Sequence, residues 1–344
     1  MHLIDLGWNT FFEKTFEPYR AIGYFAARIA QENRTNYVVL CENGELLAEL
    51  SGKFRFEADS NGKYPTVGDW AAISIVPNEN RAIIHVLMPR QSAFIRKEAG
   101  VQTEEQVVAA NIDTVFIVQG LDGNFNLRRI ERYLTLAWES GAVPVILLNK
   151  SDLCQELDVR VGEIESMAIG VAVHSISAID GTGFEKLEKY LIGGKTAAFL
   201  GSSGVGKSSI INRLLGEERL NTGKVSDADS RGRHTTTYRQ MIVLPDGGIV
   251  IDTPGMRELQ VWGDDEGLRQ AFDDIEELAT ECRFRDCAHQ SEPGCAVLAA
   301  ISDCRLDGER YQSYLKLKRE LRYLAARQSM KASAAEKLRW KQLS

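Results

Sequence analysis

No stretch of the 344-residue sequence approaches the run of about 18 apolar residues that a membrane-spanning helix requires. The first residues (MHLIDLGWNTFFEKTFEPYR) contain no basic segment followed by an apolar core, so they do not read as a secretory signal, and the expected location is the cytoplasm with no membrane partner. Cysteine is sparse, at six residues, which excludes a disulfide framework in a chain of this size. Four of the six nevertheless fall between Cys282 and Cys304, and such clustering suggests a metal. Internal repeats and low-complexity segments are absent. The chain also lacks net positive charge: it carries −7, which discourages non-specific nucleic-acid binding. That total conceals an asymmetry, because Arg310 to Ser344 holds ten Lys and Arg against two acidic residues and offers an anionic partner a local site. At 44% hydrophobic and 26% charged, the composition is that of a soluble globular protein, and the length suits about two or three domains.

Past the weakly patterned first twenty residues, which read as an arm or packed extension, Gly23 to Met88 carries strand signals. Tyr37–Cys41 and Glu45–Leu50 flank Glu42-Asn43-Gly44 and predict a hairpin, since Asn-Gly favours a tight turn. Gly52–Glu57 (GKFRFE) alternates like a strand, and Trp70–Val76 and Arg81–Leu87 are further short strands. About five strands in so short a segment predict a small β-barrel, for which the five-stranded oligonucleotide/oligosaccharide-binding (OB) barrel is one candidate and a barrel used for protein contacts or packing the other. Pro89–Gly100 reads as a linker. Strand-then-helix units follow: Thr114–Val118 with Leu127–Ser140, Pro144–Leu148 with Val161–Met167, and Val171–Ser177 with Phe184–Leu191. Thr196–Leu200, Met241–Leu244 and Gly248–Ile251 add strands, so a parallel sheet covered by helices on both faces is expected. From about Leu268 the pattern is helical. The chain thus divides into an extension plus barrel (1–92), an α/β domain (93–267) and a helical domain with a basic tail (268–344).

Gly201, Ser202, Ser203, Gly204, Val205, Gly206, Lys207 and Ser208 fit G-x-x-x-x-G-K-[ST], followed by Ser209. The apolar strand before them and the helical spacing of Ile210, Ile211, Leu214 and Leu215 after them are the setting of a phosphate-binding loop. Lys207 would reach the β- and γ-phosphates and the Ser208 hydroxyl would ligate Mg²⁺. Asn149-Lys150-Ser151-Asp152 follows a strand end, where α/β sheets bind ligands. Asp152 there can accept from guanine N1–H and its exocyclic amine, a donor pair that adenine does not offer. Ser177 and Ala178 close the next strand, and the Ala178 N–H can meet guanine O6. Asp252-Thr-Pro-Gly255 ends another strand: Asp252 would hold Mg²⁺ through water, and the Gly255 N–H would sense the γ-phosphate. Thr236, in Arg233-His234-Thr-Thr-Thr237, would complete the Mg²⁺ shell only with the γ-phosphate present, an ordering switch. These are the parts of a GTPase in an unusual order, with N-K-x-D before the phosphate loop, and a circular permutation explains that without new chemistry. Cys282-x₄-Cys287-x-His289-x₅-Cys295 can close a tetrahedral Zn²⁺ site of structural type, although Cys304 leaves the choice of four ligands open on chemistry alone. Cys41 and Cys154 read as ordinary thiols.

On NKSD (149–152), SISA (175–178), GSSGVGKSS (201–209), RGRHTTT (231–237) and DTPG (252–255), the chain resembles the ribosome small subunit-dependent GTPase A (RsgA/YjeQ) family over nearly its whole length. The resemblance implies an OB-like barrel, a circularly permuted GTPase domain and a C-terminal zinc domain. It implies hydrolysis of GTP to GDP stimulated by the small ribosomal subunit, in late maturation of that subunit; a monomer is expected. It favours Cys282, Cys287, His289 and Cys295 as the zinc ligands. It also favours rRNA contact by the basic helical stretch Tyr311–Trp340, with Lys316, Lys318, Arg319, Arg322 and Arg327 around an apolar face of Tyr314, Leu317, Leu321, Leu324 and Ala325. Met256 follows DTPG where Ras-like enzymes have a water-orienting Gln, so slow intrinsic turnover is expected and His234 becomes the candidate to position water. Because DTPG leads almost directly into the C-terminal domain, switch rearrangement is expected to be transmitted there. Two other readings stand beside this one: a P-loop ATPase or small-molecule kinase, which NKSD disfavours, and a nucleotide-dependent RNA-binding protein with little turnover.

Overall fold

Residues 1–58, 64–97, 105–123, 125–220, 239–252 and 266–323 are described by a computed structural model. The chain divides into two compact units, Met1–Phe125 with Ser140–Leu259, and Asn126–Glu139 with Gln260–Ser344.

The first unit begins with helix α1 (Thr10–Arg20), whose N-cap Asn9 accepts from the Phe11 and Phe12 backbone N–H groups. Five strands follow: β1 (Phe25–Glu32), β2 (Tyr37–Cys41), β3 (Gly44–Leu50), β4 (Trp70–Ile75) and β5 (Arg81–Leu87). Their order β1-β2-β3-β5-β4 closes through a β1–β4 pairing, with β3 and β5 parallel and the other neighbours antiparallel, so the expected five-stranded barrel is present. Its inward positions are every second residue of each strand, among them Ala27 and Ile29, Val39 and Cys41, Leu46 and Ala48, Ala71 and Ile73, and Ala82 and Ile84. The outer face of the β1–β4 seam is covered too. Trp8, Phe12 and Phe16 gather against Trp70, with the Trp8 and Trp70 rings 4.7 Å apart. Beneath them Arg28, 1% exposed, donates to the carbonyls of Leu6 (2.5 Å), Gly68 (3.2 Å) and Asn111 (2.9 Å). Burial lowers its guanidinium to about 10.

Two expectations fail in this region. Gly52–Glu57 is helix α2, not a strand, because Ser51 caps it by accepting from the Phe54 N–H and β5 already occupies the free edge of β3. The alternating Phe56 is 91% exposed, so the alternation marks no buried face. The linker over 89–100 contains strand β6 (Ala93–Lys97), paired antiparallel with β7 (Glu105–Ala110). Its polar Arg96 and Lys97 mask a strand that Phe94, 2% exposed, anchors.

The second sheet of this unit runs β10-β9-β8-β11-β13-β12, with β8 (Thr114–Gly120), β9 (Val143–Asn149), β10 (Ala172–Ser175), β11 (Thr196–Leu200), β12 (Gln240–Val243) and β13 (Ile249–Asp252). Every neighbouring pair is parallel except the β12–β13 hairpin, which turns through Gly247 at φ +87°. Phe116, Val118, Val145, Leu147, Ala197, Phe199, Ile210 and Ile211 share one apolar core on it. The helix expected over Phe184–Leu191 is instead two 3₁₀ turns, Phe184–Lys186 and Glu188–Tyr190, begun by Gly183 at φ +79° with no side-chain cap. β12 also meets β1 at Gln31↔Gln240, so barrel and parallel sheet are hydrogen-bonded into one sheet of eleven strands among the described residues.

The second unit contains α3 (Leu127–Ser140) up to Glu139, α6 (Glu266–Ala271), α7 (Asp273–Thr280), α8 (Ala296–Ser302) and a helix over 308–323; α4 (Leu157–Met167) and α5 (Lys207–Leu215) belong to the first. Its apolar centre includes Leu268, Phe272, Ile275, Val297, Tyr314 and Leu317. A buried ion network crosses that centre: Arg310 forks onto Asp274 (2.7 and 2.8 Å) and reaches the fully buried Glu131 at 3.1 Å. Burial raises the Glu131 carboxyl above its ordinary value, opposed by Arg128 and Arg310.

Candidate functional site

β11 lies in the middle of its sheet, between β8 and β13, and the chain turns from its end through Gly201–Gly206 into α5. Two glycines here leave no room for a side chain. A Cβ on Gly201 would lie 2.5 Å from the Val118 carbonyl oxygen, and one on Gly206 (φ +99°) would lie 2.2 Å from Asn149 Nδ2. Gly204 (φ +79°) faces open space. Gly206 occupies the N-cap of α5 and supplies no side-chain acceptor there, so the first N–H groups of the helix are available to an anion. Lys207 Nζ donates to the carbonyls of Gly201 and Ser202, both at 2.7 Å, which draws the ammonium back across the loop. Ser202, Lys207, Ser208 and Ser209 are half-buried and Ser203 is exposed.

Asn149 ends β9 and is 2% exposed. Its Nδ2 donates to the Val205 carbonyl of the phosphate loop (2.8 Å), and its Oδ1 accepts from the Ala178 N–H (3.0 Å). One side chain thus ties three sequence motifs together, motifs that the chain separates by up to 56 residues. Lys150 takes φ +67° and forms an ion pair with Asp122, just beyond β8. Asp152 sits in the next turn, Ser151–Leu153, and is exposed. Ser177 is fully buried: its N–H donates to the Thr182 carbonyl (3.0 Å) and its carbonyl accepts from the Gly181 N–H (2.9 Å). The Ala178 N–H expected at guanine O6 is engaged by Asn149 Oδ1 here. Asp252 closes β13, half-buried. His234, Thr236, Gly255 and Met256 lie outside the described residues.

Two residues in this region escape sequence reasoning. Asp122 stands at the carboxyl end of a strand, a position that signals ligand sites, but it belongs to no motif. Arg213, on α5, gives no signal at all: it is a cation off the apolar face of an amphipathic helix.

In the second unit, Cys282, Cys287, His289 and Cys295 bring their ligand atoms within 4.8 Å of one another. His289 Nδ1 lies 3.5 Å from Cys282 Sγ and 3.4 Å from Cys295 Sγ. Three thiols and one imidazole are the donor set of a closed tetrahedral zinc site. Backbone N–H groups of Ala296 and Leu298 donate to Cys282 and Cys295 Sγ (3.3 and 3.5 Å), which suits thiolates. His289 takes φ +55°, and its carbonyl accepts from the Tyr311 hydroxyl at 2.7 Å. Cys304 is exposed and stands outside the cluster. No helix among the described residues is long and apolar enough to cross a membrane.

A family model described as RsgA GTPase matches residues 87–262. The small ribosomal subunit biogenesis GTPase RsgA of Opitutus terrae is 46% identical over 100% of this chain and 96% of its own length. The small ribosomal subunit biogenesis GTPase RsgA 2 of Lactiplantibacillus plantarum is 48% identical over 88% of this chain and 84% of its own. Among solved structures, YjeQ from Thermotoga maritima superposes with a TM-score of 0.66 at 28% identity, covering 87% of this chain and 98% of that one. YloQ, a circularly permuted GTPase, gives 0.63 at 25% identity, covering 87% and 95%. The strand order carries the same permutation, since β11 and its phosphate loop follow β8 to β10 in the chain yet occupy the sheet's centre. With a family model spanning just over half of the chain and a relative 46% identical across all of it, this chain belongs to the RsgA GTPase family.

Proposed function

We propose that this GTPase acts in biogenesis of the small ribosomal subunit, hydrolysing GTP to GDP and phosphate at the site between β11, β9 and β10, with the subunit as its activator. The observation that carries the site assignment is Asn149, which joins the N-K-S-D turn to both the phosphate loop and the Ser177–Ala178 loop. The relatives' names carry the biological setting.

In this reading the N–H groups of Gly204 to Ser209 wrap the phosphates, and Lys207 exchanges two loop carbonyls for the β- and γ-phosphates. Asp152 reads guanine N1–H and its exocyclic amine, and the Ala178 N–H leaves Asn149 for guanine O6. Ser208 and Thr236 would hold Mg²⁺, with Asp252 behind it through water; the ion would neutralise phosphate charge. Gly255 senses the γ-phosphate and His234 orients the attacking water, since Met256 cannot. Cys282, Cys287, His289 and Cys295 would hold a structural Zn²⁺. Lys316, Arg319 and Arg322, on the helix over 308–323, offer rRNA phosphates a cationic face. The protein works as a cytoplasmic monomer.

GTP turnover with and without purified subunits tests the proposal. Stimulation by small subunits and none by large ones is expected; equal turnover in all three conditions overturns it.

A further inference from the structure

The loop that closes β10 is held from below by a side chain of the phosphate-loop helix. Arg213 Nη1 donates to the carbonyls of Ala178 (3.2 Å) and Ile179 (2.9 Å), and its Nη2 donates to that of Asp180 (2.9 Å). Three consecutive carbonyls therefore converge on one guanidinium. The planar fork suits this, because it presents several N–H donors in fixed directions, whereas an ammonium is a single point. The Phe184 ring lies 5.5 Å from the same guanidinium. The loop is shaped around the cation: Gly181 takes φ +92°, and a Cβ there would lie 2.0 Å from Arg213 Nη2. Within the loop, Asp180 Oδ1 accepts from the Thr182 N–H (2.8 Å), which with the Thr182 hydroxyl holds its carboxyl below the usual range.

Holding the carbonyls of residues 178–180 toward α5 fixes the turn over 177–181, whose Gly181 N–H donates to the Ser177 carbonyl (2.9 Å); that carbonyl shares a peptide plane with the Ala178 N–H, so the clamp constrains where the N–H points. That N–H is the group assigned to guanine O6. The helix that supplies the clamp is the one whose N-terminus faces the phosphates; Asn149 holds that N-terminal end through Val205, and Arg213 lies near the C-terminal end. Base loop and phosphate loop are thereby tied at two points, one at each end of α5.

We infer that Arg213 is a positioning residue for guanine recognition: it sets the Ser177–Gly181 loop against the base while touching neither base nor phosphate. This rests on the guanine reading of Asp152 and Ala178.

The test compares full-length wild type, Arg213→Ala, Arg213→Lys and Gly181→Ala for binding of GDP, ADP and inorganic pyrophosphate, with thermal melting as a control on folding. Arg213→Ala is expected to weaken GDP about fivefold to tenfold while leaving pyrophosphate within about twofold. Arg213→Lys should fall between wild type and Arg213→Ala, because it restores the charge without the fork. Gly181→Ala, which displaces the guanidinium without removing it, should show the same selective loss of GDP. Two outcomes overturn the inference: GDP affinity within about twofold of wild type in both Arg213→Ala and Gly181→Ala, or equal losses for GDP and pyrophosphate. Asp152→Asn in the wild-type background tests the underlying reading separately. Its amide can donate to the C2 carbonyl of xanthine, so preference should pass from GDP to xanthosine diphosphate. Unchanged GDP preference there removes the guanine assignment itself, whatever Arg213 does.

Discussion

The proposed nucleotide site draws on the ends of three strands, β9, β10 and β11, whereas the Cys/His cluster draws its four side chains from one loop between Cys282 and Cys295. In the first, sheet neighbours set the geometry. β9 and β11 both flank β8, so their carboxyl ends converge whatever their order in the chain. That is why a permuted chain keeps the site. In the second, the geometry is set within a short loop, by the cluster side chains and a few hydrogen bonds to backbone groups beside them. From residue 281 to 295 His289 and Cys295 alone are buried, and both belong to the cluster. A site built on a sheet tolerates rearranged connections; a site built on one loop depends on the order and spacing of its residues in the chain.

The sharpest way to break this contrast is to remove the cluster. Cys282→Ser, or a strong chelator, is expected to unfold the loop over 282–295 and the helices beside it, since zinc binding to such sites contributes on the order of 10 kcal/mol. Nucleotide affinity, carried by the first unit, should persist. Loss of helical signal together with retained GDP binding is the expected pair of readings, and joint loss of both would merge the two sites into one cooperative structure.

A smaller effect is expected from Asn149→Ala. It strands the buried Val205 carbonyl and the half-buried Ala178 N–H, at a cost of about 2–3 kcal/mol. Urea unfolding should record that loss and GDP titration a weakened affinity, while zinc content stays whole.

The smallest effect belongs to Glu292. Its carboxylate accepts from the N–H groups of Ala288 (3.0 Å), Gln290 (2.8 Å) and Ser291 (3.0 Å). Those backbone bonds lower it from its ordinary 4.5 to about 2. The sign follows: the folded state binds the proton less readily than the unfolded one, so the stabilisation is complete above 4.5 and fades as pH falls toward 2. Glu292→Gln should therefore melt slightly below wild type near neutral pH, and the gap should close with acid. A gap that widens with acid would mean that the carboxylate is not what orders the loop.

Much of this molecule was legible as sequence, for a physical reason. The phosphate loop, N-K-S-D and the Cys/His spacing are local patterns, and the chemistry they serve fixes residue type at fixed intervals. The barrel was legible from a hairpin and two apolar strands, yet β1 passed without its own boundaries, since Arg28 and Gln31 interrupt its apolar run. Gly52–Glu57 alternates as a strand does, but alternation alone does not supply the neighbour that would bury one face. β6 hid behind its cations. Arg213 and the buried pairing of Glu131 with Arg310 were out of reach, being contacts between distant segments with no constraint on spacing. Asn149 was legible as a motif member, but its role as the tie between loops emerged only in three dimensions.

Arg28 sets a clock on synthesis. Its three acceptors are the carbonyls of Leu6, Gly68 and Asn111, and the last lies 83 residues downstream. The barrel's strands end at Leu87, so they leave the ribosome before Asn111 does. A ribosome adding about 5–20 residues per second leaves an interval of a second or more between completion of β5 and arrival of that last acceptor. Through that interval the guanidinium has one carbonyl too few. The final closure of the N-terminal domain thus waits on the first residues of the domain that follows it.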